Sequence, residues 1–274
     1  MDEYNLVVSW FDQLIVVLSG YVIKPLYMTL TCVLLYRLRS YSAKDMRFLK
    51  CGVAGFLVGE SICAANYYIS GSINFTLEIL HGFGMVWALI FIPWSVYIFL
   101  DERIFHFSST VKRCGMQPFC GSCGKHESSG CGMEKLIVYL TPALIILALM
   151  AFSHPLDPYQ YSINVFDSTV LFVSSTLAQF IEIRAYSVVA IVLLLAGGFS
   201  LKIKKDANLW ACFFFPGFGF MMFSLFRFFL TFTFHANPVW SNFWEEMTEL
   251  LLILSILVCM GIFRKQLSVK SIVS

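Results

Sequence analysis

Apolar residues run along this chain in stretches of about twenty, separated by short polar segments. A hydrocarbon layer roughly 30 Å thick takes about 20 residues of helix to cross. The pattern predicts seven such spans, at 14–36, 48–69, 75–100, 136–153, 181–201, 209–234 and 243–263. The expected architecture is an all-α polytopic membrane protein of seven transmembrane helices, with 1–274 as a single membrane domain. Residues 168–180 are apolar too and precede the fifth span; they are expected as an interfacial helix or as a tilted extension of that span. Lys24-Pro25 lies inside the first span and predicts a kink. Gly52, Gly55 and Gly59 predict close helix packing along the second.

Charge sets the expected orientation. Sixteen of the 19 Lys and Arg residues fall in 37–50, 103–135, 202–205 and 264–270, the segments that follow the first, third, fifth and seventh spans. Cytoplasmic loops collect Lys and Arg, so the N-terminus is expected outside and the C-terminus in the cytoplasm. Trp10, Trp240 and Trp244 fall near the outer boundaries, where an aromatic belt would put them.

Composition narrows the class. The chain is 58% hydrophobic and 13% charged, against about 25% charged in soluble domains, so its partner is the lipid bilayer. The basic residues flank spans and form no dense patch, which argues against nucleic acid. The start, Met1-Asp2-Glu3-Tyr4, lacks the positive region of a secretory signal, and none is expected. A plasma (inner) membrane is the expected location.

Two groups of residues carry candidate chemistry. The first is the loop 101–135, with Cys114, Cys120, Cys123 and Cys131, each followed by glycine. In a reducing cytoplasm four thiolates within 18 residues read as a metal site, zinc first and an iron–sulfur cluster second. Reduced thiols without an ion are the plainer alternative. This loop is also where a cytoplasmic protein partner would dock. The other five cysteines, Cys32, Cys51, Cys63, Cys212 and Cys259, read as small buried hydrophobes.

The second group is intramembrane and polar, and ionisable side chains at such depth face the bundle interior. Lys24 and Glu60 suit an ion pair between neighbouring spans. Glu78, His81, Glu182, Arg227, His235, Glu245 and Glu249 converge on the outer half from four spans and predict a pocket for a metal ion or small ligand. A single divalent cation on Glu78, His81 and Glu249 is one form of it, and Arg227 is expected to pair with Glu249. A carboxylate-bridged di-metal centre needs a second Glu-x-x-His pair that is missing here. The plainer reading of Glu182, Glu245 and Glu246 is solvation among lipid headgroups. The expected function is sensor-like, with an ion or small-solute transporter and a membrane redox protein as alternatives.

Overall fold

The computed structural model describes residues 4–5, 9–71, 74–106, 115, 132–153, 155–166, 168–204 and 207–268. Helix dominates, and five helices are long and apolar enough to cross a membrane: Trp10–Leu38, Lys44–Ser70, Phe75–Phe105, Thr176–Lys202 and Leu209–Phe234. The first consists of α1 (Trp10–Val17), a π-helical turn (Leu18–Ile23) and α2 (Lys24–Leu38). The next two are α3 (Lys44–Ser70) and α4 (Phe75–Phe99), the latter prolonged by a π-turn, Leu100–Phe105. A shorter apolar helix, α5 (Gly132–Leu149), ends in a 3₁₀ turn. Then α6 (Thr176–Gln179) passes through the π-turn Phe180–Ala185 into α7 (Tyr186–Phe199). Last come α8 (Ala207–Phe234), α9 (Pro238–Ile262) and the short α10 (Arg264–Ser268). Although α9 has 25 residues, Glu245, Glu246 and Glu249 keep it out of the apolar set.

Local chemistry sets the ends. Ser9 and Asp12 form a reciprocal capping box at α1. Gly71, at φ 59°, closes α3 in a left-handed turn that other residues avoid, and Asn74 caps α4 through two backbone N–H groups.

Residues 168–180 depart from expectation. Ser168–Ser174 is strand β3, paired antiparallel with β2 (Tyr159–Val165); Tyr4–Asn5 (β1) adds a short parallel edge. β2 alternates, Tyr-Gln-Tyr-Ser-Ile-Asn-Val, whereas β3 is a short apolar run, Val-Leu-Phe-Val, between Ser-Thr and Ser. The period of two in β2 and the β-branched and aromatic content of both segments favour strands over an apolar helix. Helix begins at Thr176, capped by Ser175. Ile163 and Val165 anchor the sheet against Ile15, Val16 and Val239, so it lies over α1 and the start of α9.

α3 packs against α4, α7 against α8, and α4 against α8, while α9 lies on α2 and α8. The α3–α4 contact is the tightest: a Cβ on Gly84 would stand 2.5 Å from the Gly59 Cα, so the two backbones touch. The apolar faces point outward as well as inward. Val188, Val192, Leu195 and Phe199 make an exposed stripe on α7, and Leu251, Leu254, Val258 and Ile262 make another on α9. Such stripes suit lipid, not water. The same inversion corrects the reading of the span cysteines: Cys32, Cys51, Cys212 and Cys259 are exposed on the helix surfaces, and Cys63 is half-buried.

At the end of the bundle away from the sheet, Arg103 grips Asp45 with two nitrogens, Nε at 2.7 Å and Nη2 at 3.1 Å, and donates through Nη1 to the Gln266 carbonyl at 2.6 Å. That clamp joins α3, the end of α4 and α10.

Candidate functional site

Under the sheet lies a cavity of about 140 Å³, room for several water molecules. Lys24, Glu78, His81, Arg227, Glu245, Glu246 and Glu249 line it from the bundle, and Tyr159 with Leu171 to Ser174 lines it from the strands.

The backbone around Lys24 explains how a lysine comes to be presented there. In the π-turn Leu18–Ile23 the N–H of Lys24 bonds the carbonyl of Ser19, five residues back. The same register would take the Gly20 carbonyl to residue 25, which is proline and has no N–H. The Tyr68 hydroxyl donates to Gly20 instead, at 2.8 Å. Irregular helix is thus satisfied by a neighbouring side chain, and Lys24 emerges at its end with 3% of its surface exposed.

Two cation-centred clusters share the cavity. In the deeper one Lys24 Nζ lies 2.7 Å from Glu60 Oε2 and 2.9 Å from Glu246 Oε1. The Tyr27 hydroxyl donates to Glu60 Oε2 and contacts Glu246 Oε2, and Cys63 Sγ is 3.5 Å from Lys24 Nζ. His81 Nδ1 lies 3.1 Å from the Gly59 carbonyl and 3.4 Å from Glu60 Oε1. Glu60 Oε1 and Glu249 Oε2 are buried and have no hydrogen-bond partner. One imidazole nitrogen of His81 and one oxygen each of Glu60 and Glu249 lie within 4.8 Å of one another.

The shallower cluster centres on Arg227. Its Nε holds Glu182 Oε2 at 2.8 Å and its Nη1 holds Glu245 Oε1 at 2.7 Å. Glu182 comes from the π-turn before α7, a bulge of the kind that re-aims side chains at functional sites. Gln179 fixes the adjoining loop: its amide donates to the Asp157 carbonyl and accepts from the Asp157 N–H, and it also reaches Ser174. Burial of the Tyr159 hydroxyl pushes it up to about 12, so it stays a proton donor across the physiological range.

The chain matches no family model, no curated protein and no solved structure.

The structure brings Lys24 and Glu60 together, and gathers Glu78, His81, Arg227, Glu245 and Glu249 around this cavity, with Glu182 bonded to Arg227. Two pairings differ from expectation. Arg227 takes Glu182 and Glu245 and not Glu249, which faces the Lys24 cluster. Glu60, and not Glu78, completes the His81–Glu249 group, because Gly59 and Gly84 let α3 approach the start of α4 closely. His235 stands apart; it is exposed, with Nδ1 3.3 Å from the Phe232 carbonyl at the end of α8. Glu246 and Glu182 are 5% and 2% exposed, far below what headgroup solvation requires. Tyr27 and Glu246 are the partners that sequence reasoning missed. Tyr27 follows Lys24 by three residues, the spacing of one helical face, and that was the available signal. Cys114, Cys120, Cys123 and Cys131 lie outside the described residues.

Proposed function

We propose that this protein is an integral membrane receptor for a cation, built as a seven-helix bundle with its cavity toward the outer face and the four-cysteine loop toward the cytoplasm. The observation that carries the reading is a charge imbalance. Glu78, Glu245, Glu246 and Glu249 line the cavity, and Glu60 and Glu182 stand directly against its two cationic side chains, Lys24 and Arg227. Six carboxyl groups around two cations, with lone oxygens on Glu60, Glu182 and Glu249, form a site that must be balanced either by bound protons or by a further positive charge.

Packing favours binding over passage. One, two and three turns from Glu60 along α3 stand Phe56, Val53 and Leu49, and two and three turns from Tyr27 along α2 stand Leu34 and Leu38, all buried. This apolar layer separates the cavity from the Arg103–Asp45 clamp, and a transporter would have to open it. A receptor needs only a shift of α2, α3 or α9 on cation binding, since a ligand biases whichever arrangement it binds better. The loop from Cys114 to Cys131, held by zinc on its four thiolates, is the proposed cytoplasmic element that passes that shift to a partner protein. The exposed apolar stripe on α9 supports counting α9 as a span despite its carboxylates.

Thermal unfolding of the purified protein tests the reading. A cation present at 100 times its Kd contributes about 2.7 kcal/mol, so the midpoint rises with the right cation and the rise is lost in Glu249→Gln. Stabilisation by anions or neutral solutes alone sinks the proposal.

A further inference from the structure

We infer that the cation is a first-row divalent transition-metal ion seated on Glu60, His81 and Glu249. The inference rests on the cation-cavity reading and names its ion.

The donor set supports it. Two carboxylates with one imidazole form a mixed oxygen–nitrogen set, which suits Mn²⁺, Fe²⁺ or Zn²⁺, whereas Ca²⁺ and Mg²⁺ take oxygen alone. The three ligand atoms already lie within 4.8 Å of one another. Three atoms bound evenly to one ion at about 2.2 Å stand about 3.8 Å apart or less, so the group closes by up to about 1 Å on binding. Three protein ligands leave coordination positions open toward the cavity, where water completes the shell.

The unpartnered atoms are a second, independent observation. Glu60 is fully buried and Glu249 is 4% exposed, yet Glu60 Oε1 and Glu249 Oε2 accept no hydrogen bond. Buried carboxylate oxygens are rarely left so. Each of the other contacts restrains a ligand without occupying its free oxygen. Lys24 Nζ and the Tyr27 hydroxyl both hold Glu60 by Oε2, which leaves Oε1 presented to the site. Glu246 accepts from Lys24 through Oε1 and contacts the Tyr27 hydroxyl through Oε2. The Gly59 carbonyl fixes the His81 ring. Lys24, Tyr27, Glu246 and Gly59 thus form the outer shell that orients ligands in metal proteins. Lys24 is then a positioning residue, and a built-in countercharge, but not a competitor for the free oxygens.

Mn²⁺ is the probe, because thiolates such as those of the cysteine loop bind it poorly. The full-length protein in lipid nanodiscs is titrated with Mn²⁺ and free ion is followed by electron paramagnetic resonance. One Mn²⁺ per chain is expected, with Mg²⁺ and Ca²⁺ binding at least tenfold more weakly. His81→Asn and Glu249→Gln abolish the site, and the outer-shell change Tyr27→Phe weakens it by about 10–100-fold. Should the ligand variants fail to fold, the wild-type protein decides: the electron spin echo of bound Mn²⁺ carries ¹⁴N modulation from the imidazole. Absence of that modulation, or equal binding of Mn²⁺ and Mg²⁺, overturns the inference. If Na⁺ or an organic cation stabilises the protein through Glu249 while Mn²⁺ does not bind, the metal assignment falls and the cation cavity stands. If no cation binds, both fall.

Discussion

Lys24 and Arg227 each stand among three carboxylates in one cavity, yet the two surroundings behave differently. Arg227 spreads its charge over a planar fork and ties Glu182 and Glu245 with separate nitrogens, and its side chain keeps 20% of its surface exposed. Lys24 is a point charge with 4% exposed, and it touches only one oxygen each of Glu60 and Glu246. A fork can hold a buried carboxylate, Glu182, and a partly exposed one, Glu245, at once. An ammonium in a dry centre leaves oxygens over, and those oxygens are what make the centre a candidate for an ion. The same formal ratio of charges thus leaves one lone oxygen at the rim, on Glu182, and two in the centre, on Glu60 and Glu249, where His81 stands beside them.

The largest effect tests this at the centre. Lys24→Met removes the only lysine or arginine bonded to Glu60 and Glu246 among the described residues, so two buried carboxylates lose their cationic partner and keep only Tyr27 as a hydrogen-bond partner. Removing one member of a buried pair costs about 3–5 kcal/mol. The unfolding midpoint is expected to fall accordingly, and Glu60→Gln added to Lys24→Met is expected to recover part of the loss, as coupled residues do. A small loss without recovery would mean that the centre is more hydrated than its burial implies.

Much of this was legible in the sequence, and the failures have physical causes. Apolar runs located α2, α3, α4, α7 and α8 because a bilayer demands length and little else. Ionisable residues inside those runs marked the cavity, since depth alone makes them costly. The strand Ser168–Ser174 escapes a sequence reading because its apolar run Val-Leu-Phe-Val beside a span looks like more span; only its pairing with the alternating β2 separates them. Partner choice was missed at Arg227 and His81 for another reason. Spacing along one helix fixes a face, but which helix meets that face depends on interhelical distance. Between α3 and α4 that distance is set by Gly59 and Gly84, whose role emerges only once the helices are packed.

Gly84→Ala turns that point into the second test. The added Cβ would meet Gly59 Cα at 2.5 Å, Gly59 N at 2.8 Å and Gly55 O at 3.1 Å, all backbone atoms that cannot rotate away. The two helices must separate, at a cost of about 1–3 kcal/mol. Separation draws Glu60 on α3 from His81 on α4 and leaves Arg227, Glu182 and Glu245 on other elements untouched. The cation-induced rise in unfolding midpoint is therefore expected to shrink by more than the loss of stability explains. An unchanged rise would show that the α3–α4 contact does not set the geometry of the centre.

Arg227→Lys sharpens the rim and should have the smallest effect. The substitution keeps the charge and removes the fork, so one ammonium faces Glu182 and Glu245, now held at 2.8 and 2.7 Å by different nitrogens. A lysine can keep one of these contacts and loses the other, which for a charged hydrogen bond is worth up to about 1.5–3 kcal/mol when buried. The lysine is expected to keep buried Glu182 and release Glu245, whose side chain is 20% exposed and is solvated by water. The expected loss is thus about 1 kcal/mol, with cation-induced stabilisation retained because Glu60, His81 and Glu249 are not disturbed. A loss equal to that of Lys24→Met would erase the distinction between rim and centre, and would move the ion-binding role from the unpartnered oxygens to the cavity as a whole.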